Sequence, residues 1–255
     1  MTVAATVFFL DPLPDVGHTA VLDGSEGRHA ATVRRIGVGE RIMLADGRGG
    51  LADTEVTAAA KDRLELAVHA RRQISPPVPT VTVVQALPKA DRSELAVELA
   101  TEAGVDAIVP WQSSRCVARW EGPKVAKGVA RWRSAAQAAA KQSRRAIVPE
   151  VSEPFRTPGV LSMVREVIGR GGVVAVLHES AAQSLAELSL RSVAEIVLVV
   201  GPEGGISDEE ITALTEAGAV PVLLGPHVLR TSTAAAVALG ALGVLTDRWG
   251  AAPLA

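Results

Sequence analysis

Apolar residues fall along this chain in short runs, and the rhythm of the runs changes near residue 75. Before that point, Arg41-Ile42-Met43-Leu44 and the alternating Leu64-Glu65-Leu66-Ala67-Val68 stand between turn signals at Asp23-Gly24, Gly37-Val38-Gly39, Asp46-Gly47 and Gly49-Gly50. Short segments punctuated in this way predict a small, mostly β module. The stretch Ile74-Ser75-Pro76-Pro77-Val78-Pro79 interrupts helix and ladder alike and reads as an extended linker. Beyond it, strands alternate with helices. Val81–Val84, Ala107–Val109, Val173–Leu177, Ile196–Val200 and Val220–Leu224 predict strands. Asp91-Arg92-Ser93-Glu94 resembles a capping box opening a helix to about Ala103, and a long helix is predicted from about Pro123 to Ser143. Ser207-Asp208-Glu209-Glu210 caps another, and a last one is predicted over 233–247. This alternation predicts an α/β fold: a mostly parallel sheet with helices on both faces. The domain boundaries read from it are 1–74 and 79–255.

Two predicted strands end in glycine-marked loops. Gly201-Pro202-Glu203-Gly204-Gly205 follows one, and Leu224-Gly225-Pro226-His227-Val228-Leu229-Arg230-Thr231-Ser232-Thr233-Ala234 follows the other. In open α/β sheets, ligands bind at such carboxyl ends of strands. Gly204 and Gly205 are expected to exclude a side chain because backbone approaches a ligand closely there. The first loop lacks the Lys-Ser/Thr of a P-loop and the Gly-x-Gly-x-x-Gly spacing of a dinucleotide fold, so neither a phosphate cradle nor a nicotinamide enzyme is indicated. It also reads simply as a tight strand-to-helix turn with Glu203 in solvent. Thr231 or Ser232 is a candidate N-cap. Arg230 is the only Lys or Arg between Arg191 and Arg248. It reads either as a structural Arg holding a helix end or pairing with Glu203, or as a fixed cation aimed into the crevice; its acidic, apolar surroundings favour the second. His178-Glu179 follows the 173–177 strand and so supplies a third loop.

Composition narrows the classes. Of 255 residues, 48 % are apolar, which supports a sizeable core. Cys116 is the only cysteine, so an intramolecular disulfide and a cysteine metal cluster are both excluded, and a reducing, cytoplasmic setting fits. The five histidines show no ligand spacing, so no metal site is expected. Met1–Leu10 has no basic start, and Thr231–Thr246 is too short and too rich in Ala and Gly for a membrane span.

The net charge of −2 hides an asymmetry. Residues 76–150 carry 11 basic and 7 acidic side chains, and residues 151–255 carry 6 and 11. Between Arg115 and Arg145 lie nine Lys or Arg against Glu121 alone, with Trp111, Trp120 and Trp132 within or beside the tract. A solvated helix face is the common explanation of a charge run. Here the imbalance is too one-sided for ion-paired surface, and a phosphate backbone is the expected partner. The candidate RNA contacts are Lys89, Arg115, Arg119, Arg144 and Arg145, with Arg28, His29, Arg34 and Arg35 from the small module.

Arg28-His29, Arg34-Arg35, Asp46-Gly47, Thr101 to Val105, Ser114-Arg115-Cys116, Gln142-Ser143 with Arg145 and Pro149, Gly201 to Gly205 and Leu224 to Ala234 together resemble the small-subunit ribosomal RNA uracil-N3 methyltransferases of the RsmE family. The resemblance covers nearly the whole chain. It implies a PUA-like β-barrel before a SPOUT domain with a trefoil knot, S-adenosyl-L-methionine as methyl donor, and a homodimer acting on 16S rRNA or the assembled small subunit. The implied donor-binding positions are Leu177, His178, Gly201, Pro202, Glu203, Gly204, Gly205, Ile206, Leu224, Gly225, Leu229, Arg230, Thr231, Ser232, Thr233 and Ala234, with Arg230 and Glu203 as candidate catalytic groups. Four positions depart from the family pattern. Lys141 stands where Glu is usual, Arg144 where Gly is common, His227 in place of Arg and Ser232 in place of Glu. A SPOUT enzyme for another RNA position or a ribose 2′-hydroxyl, and a non-enzymatic RNA-binding module, are the competing readings.

Overall fold

A computed structural model describes residues 6–89 and 92–250 of the chain. The chain forms two compact units that part at Pro76, and the smaller one also takes up Ala140–Val148. In that unit, β1 (Val7–Phe9), β2 (Thr19–Leu22), β3 (Arg41–Ala45), β4 (Gly50–Ala60) and β5 (Arg63–Gln73) form one sheet in the order β1-β3-β4-β5-β2. The expected β module is therefore present, with a short helix, α1 (Gly24–Arg28), and a π-type turn over His29–Val33 between β2 and β3. Phe8, Leu22, Leu44, Leu64 and Leu66 are fully buried in its core.

Residues 140–148 belong here for physical reasons that a linear split at the Pro-rich linker misses. Ala146 packs with Val7, Met43, Ala45 and Leu51. Its carbonyl accepts from Gly49 N at 3.1 Å, and Val148 N donates to Gly47 O at 2.9 Å. Lys141, the first departure from the family pattern, pairs with Glu26 at 2.6 Å and lies 5.2 Å over the Phe8 ring. Arg144, the second, has φ +56°, the left-handed region that favours glycine. The usual glycine at this position thus has a backbone reason, and this chain carries an arginine there against it.

The larger unit holds β6 (Thr80–Ala86), α2 (Ser93–Glu102), β7 (Ala107–Gln112), most of α3 (Pro123–Gln142), β8 (Glu150–Val151), β9 (Phe155–Arg156), α4 (Thr157–Gly169), β10 (Val173–Leu177), β11 (Gln183–Ser184), β12 (Glu195–Val200), α5 (Asp208–Glu216), β13 (Val220–Leu223) and α6 (Thr231–Leu245). Its sheet runs β11-β13-β10-β12-β6-β7-β8, with β9 also beside β7, and every pairing is parallel. The central strands are buried along nearly their whole length, as a parallel sheet covered on both faces requires. Helix α6 packs on α2 and on β6 and β12, while α4 packs on α5 and on β10. Ser207 and Glu210 form the expected capping box at α5. Asp91 of the other expected box lies outside the described residues; α2 follows Arg92 with no side-chain cap.

The side chain of Arg248, just past α6, is 5 % exposed and pairs with Asp106 at 2.8 Å. It also donates to the carbonyls of Pro79 and Gly104, and Asp106 accepts from Val81 N at 2.7 Å. One guanidinium so fastens the segment that follows α6 to the starts of β6 and β7. Removing one partner of a buried pair leaves the other charge uncompensated, so Arg248→Ala is expected to cost about 3–5 kcal/mol. Urea unfolding measures this, and a loss below about 1 kcal/mol would mean that Asp106 regains water freely.

Candidate active site

Parallel pairing brings three strand ends together. Leu177 lies level with Val200 of β12 and with Val222 of β13. The loops that leave β10, β12 and β13 line a cavity of about 540 Å³, joined by Lys89 and Arg92 from the chain that follows β6. This is the three-loop crevice expected from the apolar runs and their glycines.

Each loop is fixed by polar contacts. Gly205 has φ +72° and its N–H donates to Pro202 O at 2.9 Å. A Cβ at Gly201 would come within 2.6 Å of Ile206 Cγ1. A Cβ at Gly204 would meet no protein atom closer than 3.4 Å, so within the protein itself the need for glycine falls on Gly201 and Gly205. Glu203 accepts from Lys89 N at 3.1 Å, which ties this loop to the chain after β6. His178 N donates to Val222 O at 3.1 Å, and its Nδ1 accepts from Ser180 N at 3.2 Å. Buried Gln85 reaches Thr231 O at 3.4 Å.

Arg230 itself, not Thr231 or Ser232, is the N-cap of α6. Its carbonyl accepts from Thr233 N, Ala234 N and Thr233 Oγ1. Ser232 is instead 1 % exposed, with its Oγ unpartnered among the described residues. The Arg230 side chain is exposed on the cavity wall and makes no ion pair with Glu203 or any other described residue.

Of the expected donor-binding residues, Leu177, His178, Gly201, Pro202, Glu203, Gly205, Ile206, Leu224, Gly225, Leu229, Arg230, Thr231 and Ala234 line the cavity, while Gly204, Ser232 and Thr233 do not. Apolar Leu177, Ile206, Leu224, Leu229 and Ala234 beside backbone-rich loops suit a planar heterocycle with polar appendages, and the volume is that of an ordinary small-molecule site.

The basic tract divides. Arg115 donates to Gly204 O at 3.5 Å and Ile206 O at 3.4 Å, and Arg119 donates to Ser113 O and Ser114 O at 3.2 and 2.9 Å. Arg131 pairs with Glu94 and Arg133 with Glu153. Counting charge along the tract missed these acids, because the fold brings them from other segments. Trp111 and Trp132 are fully buried, and Trp120 meets Trp132 edge-on at 5.2 Å, so these rings are first of all packing groups. In the small unit, Arg28, Arg34, Arg35 and Arg144 are exposed, Arg145 is half-buried, and His29 lies 6.0 Å from the Phe8 ring.

Sequence reasoning missed the role of Glu210 beyond its cap. Its carboxylate accepts from Ser114 N at 2.9 Å, Ser114 Oγ at 2.8 Å and Thr157 Oγ1 at 2.7 Å. It therefore joins the start of α5 to the loop after β7 and to α4. Burial pushes its carboxyl up, but hydrogen bonds from Thr157, Ser114 and Ser207 outweigh that and hold it below the ordinary glutamate value.

Comparison with known proteins agrees with this architecture. Residues 75–243 match the model of an RNA methyltransferase domain, and residues 22–68 that of an RNA methyltransferase PUA domain. The chain is 55 % identical to ribosomal RNA small subunit methyltransferase E of Mycobacterium tuberculosis, over 97 % of this chain and 94 % of the relative. It is 31 % identical to the protein of that name from Bacillus subtilis, over 90 % and 91 %. A crystal structure of a ribosomal RNA small subunit methyltransferase E from Neisseria gonorrhoeae, bound to S-adenosyl methionine, superposes with a TM-score of 0.83 at 30 % identity, over 95 % of this chain and 98 % of that one.

Because Glu210 has a lowered pKa in the fold, its stabilisation is present above the unfolded value and is lost as pH falls through the folded one. Acidification from about pH 5 towards pH 3, across the ordinary glutamate range, is expected to destabilise the wild type more than Glu210→Gln. Thermal melts across that range check it; parallel curves would refute it.

Proposed function

Because the chain belongs to the ribosomal RNA small subunit methyltransferase E family, we propose that it methylates N3 of a uridine in small-subunit rRNA with S-adenosyl-L-methionine as donor. The observation that carries the reading is the three-loop cavity at the ends of β10, β12 and β13, with Arg230, unpaired among the described residues, on its wall. The loops 201–206 and 224–225 would hold the donor by backbone, and Leu177, Ile206, Leu224 and Ala234 would enclose its base. When bound, the donor supplies a methyl group already made electrophilic by its sulfonium. The protein has two remaining tasks. It must align the acceptor nitrogen with that methyl, which fixed loops do by removing freedom in advance. It must also help a weakly acidic imide lose its proton. The Arg230 guanidinium, set beside a uracil carbonyl, would stabilise the negative charge that develops. Glu203 already accepts from Lys89 N through one oxygen, which makes it a loop fastener first and an orienting or proton-relaying group second.

The same reading carries a trefoil knot in the larger unit, a cytoplasmic setting, 16S rRNA or the assembled subunit as substrate, and a homodimer. Helix α6 exposes Val237 and Val244, 46 % and 77 % accessible and seven residues apart on one helix face. A second copy would cover that apolar face.

Arg230→Ala is expected to lower kcat about a hundredfold, as the loss of one oxyanion donor does, while calorimetry with S-adenosyl-L-methionine gives a nearly unchanged Kd. Raised pH should restore part of the rate. Normal turnover with lost donor affinity would make Arg230 a binding residue, and rRNA nucleosides without 3-methyluridine after reaction would sink the proposed specificity. Sedimentation is expected to give a dimer at low micromolar concentration, with Val244→Asp shifting it towards monomer; a wild-type monomer would overturn the dimer.

A further inference from the structure

A second cleft opens in the larger unit, away from the three loops. It has a volume of about 670 Å³ and is walled by Trp120 and Phe155, with Gln112, Glu121, Glu153 and Arg156 around them. Both rings are half-buried, and each lies against a glycine of a helix. A Cβ at Gly128 of α3 would come within 2.5 Å of the Trp120 indole, and one at Gly159 of α4 within 3.2 Å of Phe155. The absence of those side chains lets the rings settle against the helices and still border open space.

The polar groups are arranged for a planar, hydrogen-bonding guest. Gln112 Oε1 accepts from Trp120 N at 2.8 Å, so the amide is oriented. Its Nε2 has no partner among the described residues and can donate to a base carbonyl. Glu121 is exposed without an ion pair among the described residues and can accept from a base N–H, whereas Glu153 is engaged by Arg133 at 3.4 Å. Arg156 is exposed with no described partner and suits a phosphate.

Position completes the case. Gln112 and Arg156 are the last residues of β7 and β9, which pair in parallel. Since the whole sheet is parallel, these ends share an edge with those of β10, β12 and β13. Strand β7 lies two strands from β12, about 10 Å at ordinary strand spacing.

We propose that this cleft is a nucleobase subsite: it stacks an unpaired base of the RNA, flanking the one at the three-loop cavity, on Trp120 and Phe155 while Arg156 meets its phosphate. This rests on the reading of RNA as substrate, since single-stranded RNA is recognised by splayed bases stacked on aromatic side chains.

The test uses the full-length chain and a labelled single-stranded oligocytidylate dodecamer, read by fluorescence anisotropy. Phe155→Leu, which keeps apolar contact with Gly159, and Arg156→Ala, at an exposed position, are each expected to weaken binding about tenfold. On a ribose-phosphate dodecamer without bases, the Phe155→Leu effect should vanish and the Arg156→Ala effect should remain. Affinities within twofold of wild type for both variants, a Phe155→Leu loss that persists without bases, or no binding by the wild type would each overturn the subsite. Calorimetry with S-adenosyl-L-methionine on the same samples separates the two ideas. A wild type that binds the dodecamer as expected but not the donor would overturn methyl transfer and leave the subsite standing.

Discussion

Parallel strand pairing is the constraint on which the larger unit depends. A parallel ladder cannot be closed by tight hairpins, so two strands that pair with each other must be joined by a crossover. All carboxyl ends then fall on one edge of the sheet. Because β10, β12 and β13 are neighbours, loops separated in sequence by more than twenty residues meet in one cavity. Burial of the central strands on both faces follows from the same rule, and so do the near-continuous apolar runs of β10 and β12.

Loops placed by a sheet still need holding. In this unit much of the holding is polar. Glu203 reaches the chain after β6, Arg115 reaches two carbonyls of the glycine loop, and Glu210 gathers Ser114 and Thr157. Arg115 and Ser114 are adjacent, so the start of α5 and the glycine loop are fastened to the same short segment after β7. Glu210 is the buried member among them, and its partners fix geometry because a buried carboxylate would be costly to leave unsatisfied.

The strands, the crevice and most of its lining were legible because they depend on local pattern: an apolar run, then glycine. Capping at Ser207 was legible for the same reason. Partners across the chain were not. Nothing near Arg131 or Arg133 in sequence signals Glu94 or Glu153, so the tract looked more unpaired than it is. Nor does the sequence around Trp132 signal its burial against α2, with Nε1 donating to Ser93 Oγ at 2.8 Å. Glu210 could be read as a cap, but its contacts with Ser114 and Thr157 lie about 100 and 50 residues away. Gly201 and Gly205 differ from Gly204 only in dihedral and in neighbour, which no spacing encodes.

The return of Ala140–Val148 to the smaller unit bears on how the protein is made. Ala146 fills the core beside β1, β3 and β4, and the backbone of this segment bonds that of Gly47 and Gly49. A chain emerging from its N-terminus has all five strands of that unit in hand by Gln73, yet lacks the piece that closes the core. Roughly seventy further residues, including two strands of the other sheet, must be synthesised first. At ordinary translation speeds that is an interval of several seconds. Through it, the apolar surface around Met43 and Leu51 is without its natural cover. The two units are consequently not sequential products of synthesis, and the first is completed only by material that arrives in the middle of the second.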